Sequence, residues 1–140
     1  MGSESVTRRH AVRWAVATAV ASLGVPRLLR ALPGAGHPEP RKGITGAKVL
    51  TASQLEKSPG LITLFDGIRE HAALVDGIGC HCGCALLVET HYSLLSCYET
   101  ENAMARICPI CQGEGRVAVR LARAGKSLAE IREAIDAQFG

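Results

Sequence analysis

Apolar residues recur at helical spacing through the C-terminal two-thirds of the chain. Leu61, Leu64, Phe65, Ile68, Ala72 and Val75 fall three or four positions apart and form one stripe, with Asp66, Arg69 and Glu70 on the wet side. A second stripe over Ala103–Ala124 runs through Ile107, Cys111, Val117 and Leu121, and the glycines at 113 and 115 predict a break within it. Gly125 then supplies a left-handed stop. Ser127-Leu-Ala-Glu130 is a capping box opening a last helix that lines up Leu128, Ile131, Ile135 and Phe139. Thr51-Ala-Ser-Gln54 opens a short helix in the same way, and Ser58-Pro59-Gly60 ends it. Between the stripes Gly77 and Gly79 stop the periodicity, and Ala85–Leu95 fits a short helix or a strand equally well. The pattern predicts a mostly α protein: one small helical domain over residues 51–140, interrupted by an irregular cysteine-rich loop.

The N-terminal third reads differently. Thr7-Arg8-Arg9-His10-Ala11-Val12-Arg13 precedes an apolar run of twelve residues, Trp14–Val25, then Pro26. A charged start before a run of that length is signal-peptide architecture, and twelve residues fall short of the about 20 that span a bilayer. The paired arginines resemble a twin-arginine signal. Residues 1–36 are therefore expected to be a signal segment, with a cleavage point among the small residues 31–36. Residues 37–50, opening His37-Pro-Glu-Pro-Arg41, are expected to be a linker. The expected location is extracytoplasmic, periplasmic by the twin-arginine route, with membrane contact only through an uncleaved signal segment. That route carries folded proteins, so thiols can arrive with metal already bound.

Charge separates along the same boundary. Residues 1–42 hold seven basic and two acidic residues, while 43–140 hold nine basic and eleven acidic. The excess of +3 belongs to the leader, and the remaining domain has no basic footprint for nucleic acid.

All six cysteines lie within the 32 residues from Cys80 to Cys111. In extended backbone, Cys80, Cys82 and Cys84 present three sulfurs on one edge, with neighbouring Cα atoms roughly 6.5–7 Å apart. That is the outer limit for a disulfide, and bonds of about 2.3 Å to a shared metal bridge it more easily. Cys108 and Cys111, at i and i+3, suit a shared metal or a reversible disulfide. If Cys80, Cys82, Cys108 and Cys111 form one centre, Cys84 and Cys97 make a second centre or a disulfide. All six are candidate metal ligands; thiolates select Cu(I) or Zn(II), and ligand type does not separate the two ions. His81 and His91 are either further ligands or solvated side chains. Gln112 after Cys111 disfavours covalent haem.

Two other readings stay open: redox-active thiols, and three structural disulfides in a secreted domain. No general base sits beside a nucleophile, and pairs such as Glu99 and Glu101 read as solvated faces. The chain therefore reads as a metal-binding protein, a carrier or chaperone, rather than an enzyme. Its partners would be a metal ion and an exported metalloprotein or thiol protein.

Gly79-Cys80-His81-Cys82-Gly83-Cys84 resembles the Pro-Cys-Tyr-Cys-Gly-Cys motif that names a family of bacterial exported proteins, some of them selenoproteins. Ser96-Cys97-Tyr98, the pair Cys108 and Cys111, and Gly125–Arg132 extend the likeness over roughly residues 61–139. Gly79 stands at the family's proline and His81 at its tyrosine. The resemblance implies soft-metal or redox chemistry at the cysteines. Cys108–Gln112 and Ala124-Gly-Lys-Ser127 also resemble the thiol oxidoreductase subunit of cytochrome c maturation, which implies a thiol–disulfide oxidoreductase as the alternative.

Overall fold

The computed structural model describes residues 36–140, so the signal-segment reading lies, but for Gly36, outside the described residues. It is mostly helical, with no strand among the described residues. Helix α1 spans Ile62–Glu70 and the short α2 spans Ala72–Val75. A single turn, α3, spans Cys84–Leu87. The long α4 spans Pro109–Arg123 and α5 spans Leu128–Phe139. Tight 3-10 turns at Gly46–Lys48, Ser53–Leu55, Pro59–Leu61, Leu94–Tyr98 and Met104–Arg106 carry the connections.

The first stripe folds as two helices rather than one, because His71 (φ −110°, ψ 25°) leaves helical geometry between α1 and α2. Its apolar face still turns inward: Phe65, Ile68 and Val75 are fully buried. The Thr51–Gln54 signal forms only in part. Thr51 N–H donates to Gln54 Oε1 at 2.9 Å, but the chain makes a 3-10 turn, not a helix. The box at Ser127 closes both ways: Glu130 N–H donates to Ser127 Oγ at 3.3 Å and Ser127 N–H to Glu130 Oε2 at 2.8 Å.

The second stripe starts later than its periodicity suggests, at Pro109, whose ring suits a first helical position. It also runs unbroken through Gly113 and Gly115. Those glycines answer to packing: a Cβ on Gly115 would run into the Tyr98 hydroxyl, and one on Gly113 would meet the Phe139 ring at 3.0 Å. Tyr98 lies edge-on to Phe65, with ring centroids 4.8 Å apart, and its hydroxyl donates to Cys111 O at 2.6 Å. Phe65, Tyr98 and Cys111 thus tie α1, the Leu94–Tyr98 turn and α4 into one core.

Residues 37–50, expected to be a linker, lie on this body. Val49 and Leu50 belong to the core. Arg41 clamps Asp76 through its backbone N–H (2.8 Å) and its guanidinium (2.6 Å). Tyr92 O–H donates to Glu39 O, and Arg132 donates to both Pro38 O and Gly77 O. Proline and glycine mark irregular backbone, but they do not say whether that backbone is packed. Here it straps down the loop that leads to the cysteines.

Candidate metal centre

The loop after α2 delivers Ile78 to the core and then turns. Cys80 and Cys82 keep their sulfurs on one side, 3.2 Å apart. Cys84 does not follow them, because Gly83 takes a left-handed conformation (φ 78°) and starts α3, ending any extended edge. The first turn of α4 brings Cys111 in from below, 3.6 Å from Cys80 and 3.5 Å from Cys82. Cys97, in the buried Leu94–Tyr98 turn, completes a group of four whose sulfurs all lie within 4.8 Å of one another.

The expected set of Cys80, Cys82, Cys108 and Cys111 is therefore corrected at one position: Cys97 stands where spacing suggested Cys108. Cys108 is the N-cap residue of α4, with extended backbone (φ −88°, ψ 114°), while Cys111 sits within the first helical turn and faces the core. An i, i+3 pair shares a helix face only if both residues are helical. Cys84 lies just outside the group and donates its backbone N–H to Cys82 Sγ at 3.4 Å. None of the six cysteines is in a disulfide.

The arrangement suits a metal. Bonds of about 2.3 Å in a tetrahedron place sulfurs about 3.8 Å apart, close to the spacing found here. Charge points the same way. The Cys80 thiol is held well below its usual range by bonds from Cys111 and Cys97. Cys111 is pushed up, first by its bond to Cys80 and then by Cys97 and burial. Burial, then the neighbouring Cys84 and Cys80, pushes Cys82 up as well. One thiolate is tolerated and further ones are opposed, because like charges at this range disfavour ionisation. A cation at the centre would reverse that balance and let all four ionise.

Around the sulfurs lies a polar shell that the cysteine spacing does not announce. Glu114 is fully buried on the inner face of α4, and its Oε1 accepts the His81 backbone N–H at 2.8 Å and lies 2.6 Å from His81 Nδ1. Burial, and then the Cys80 thiolate, pushes its carboxyl up to about 9. His81 Nε2 lies 3.1 Å from Asp136 Oδ1, the same oxygen that His37 Nε2 approaches at 3.0 Å. His37 Nδ1 accepts the Gly79 N–H at 3.0 Å. The His81 ring thus lies between the Glu114 and Asp136 carboxyl groups. His91 lines a separate cavity of about 300 Å³ with Glu99 and Met104. Glu114 was visible in the sequence only as a charge three residues after Cys111, on the same helix face.

No known protein family, curated protein or solved structure matches this chain.

Proposed function

We propose that this protein is an exported carrier of a soft metal ion, Cu(I) or Zn(II), held by Cys80, Cys82, Cys97 and Cys111. The observation that carries the reading is the convergence of four sulfurs, three of them buried, from three separate segments of chain. The twin-arginine-like leader and the likeness to the exported Pro-Cys-Tyr-Cys-Gly-Cys proteins support an extracytoplasmic location and soft-ligand chemistry. Thiolate ligands favour both ions, so identity rests on measurement. Elemental analysis of protein isolated without reductant or added metal is expected to find close to one equivalent of zinc or copper. Less than about a tenth of an equivalent, with no free thiols, would overturn the reading.

The alternative, a thiol–disulfide oxidoreductase, draws support from the lowered Cys80 thiol, since thiolates are the attacking species. It is opposed by the 5% exposure of Cys80, because exchange requires access for a partner disulfide.

A further inference from the structure

The four sulfurs are unequally covered. Cys97 and Cys111 are fully enclosed and Cys80 nearly so, whereas Cys82 keeps a partly open face. Directly after Cys82 the chain turns through Gly83, and a Cβ built there meets nothing within 4 Å. Open space therefore adjoins Gly83, the residue next to the half-buried Cys82. The donated N–H of Cys84 reaches the Cys82 sulfur from the side of α3. Five and six residues after Cys82 the chain also shows an apolar lip to solvent, with Leu87 86% and Val88 39% exposed.

On the reading that the cluster holds a metal, we propose that Cys82 is the exchanging ligand, through which the ion passes to an acceptor bearing soft thiolate donors and an apolar face. Cys80, Cys97 and Cys111 keep the ion while a thiolate of the acceptor forms a bond to it and the bond to Cys82 breaks. No electron changes hands and the metal keeps its oxidation state. The displaced Cys82 thiolate is received by the Cys84 N–H and then takes a proton from solvent. Successive exchanges at the same open edge transfer the ion. The buried sulfurs cannot begin this exchange, because an incoming donor has no approach to them.

Two measurements on the whole protein test this. Zinc-loaded protein is pulsed with iodoacetamide, and labelled sites are mapped while bound zinc is counted by native mass spectrometry. Cys82 is expected to be alkylated at least about ten times faster than Cys80, Cys97 or Cys111, in molecules that still carry zinc, following thiol accessibility. Zinc release to 2,3-dimercaptosuccinate is expected to accelerate in proportion to its concentration, and Cys82→Ser is expected to retain zinc on the other three sulfurs. Equal or all-or-none labelling of the four cysteines, or a release rate independent of the dithiol, would overturn the exchange role while leaving metal binding intact. Failure of the unlabelled protein to take up either zinc or Cu(I) would instead overturn the carrier reading, and the exchange role with it.

Discussion

Cys108 and Cys111 are three residues apart and the same amino acid, yet the structure gives them different work. Cys111 is fully enclosed among the other sulfurs, and Cys108 caps the start of α4 without a side-chain bond to the helix. Serine is a favoured N-cap residue and cysteine is not. Cys108→Ser is therefore expected to leave zinc affinity within about threefold and to stabilise the protein by up to about 1 kcal/mol. Cys111→Ser removes a ligand and is expected to weaken zinc by about a hundredfold or more. Competition with a chromophoric chelator, alongside urea unfolding, checks both. Equal loss in the two variants would place Cys108 in the centre. At this scale the sequence put forward all six cysteines, because a run of cysteines can be read directly, and four of them converge. It did not reveal which four converge, since that depends on a helix starting at Pro109 and on the turn at Gly83. Nor did it reveal Glu114, whose burial follows from the His81 amide that it accepts.

Among the elements, the strap over residues 37–41 was the least legible, because its Pro-rich composition is shared by packed and unpacked segments. Asp76 is its anchor. The residue is fully buried, and it receives Arg41 and the Ser93 hydroxyl (2.8 Å). Burial raises its carboxyl, but the bonds from Arg41 and Ser93 outweigh burial and hold it below the usual carboxylate range. A folded-state value below the unfolded one contributes stability that is present above about pH 4 and is lost as pH falls through the folded value. Asp76→Asn is expected to cost about 1–3 kcal/mol at pH 7, the range for a buried polar partner left unpaired. The difference from the parent should shrink as pH is lowered from 4 to 2. Urea unfolding across that range measures it, and a gap that stays constant would show that Asp76 does not act through its charge. The helices themselves were easier to read. The face of α5 and the box at Ser127 follow from local pattern alone, whereas the glycines inside α4 were misleading because their cause, the Tyr98 hydroxyl and the Phe139 ring, lies outside the helix.

For the molecule as a whole, the cluster is a junction rather than an appendage. Its sulfurs come from the loop behind the strap, from the Leu94–Tyr98 turn and from α4, spanning 31 residues of chain between Cys80 and Cys111. Tyr98 and Glu114 extend the junction into the core and the loop respectively. A metal ion there would cross-link the three segments, and it would bind the folded chain because the unfolded chain holds no preformed site. Without it, four sulfurs that resist joint ionisation lie beside a buried carboxyl, so the metal-free domain is expected to be the less stable form. The linkage has a definite size: binding to the folded state alone adds about 4 kcal/mol when free metal is a thousand times its dissociation constant. For a domain of this size that corresponds to a rise of about 15 °C or more in the midpoint of thermal unfolding. The expected result is a midpoint that climbs with the logarithm of free zinc in the parent, climbs equally in Cys108→Ser, and stays nearly flat in Cys97→Ser. Calorimetry in a zinc-buffered series reads all three curves. Cys97 is the informative position, because sequence spacing set it apart and only the folded arrangement brings it to the other sulfurs. A parent curve as flat as that of Cys97→Ser would mean that the four sulfurs do not act as a zinc site in the folded chain.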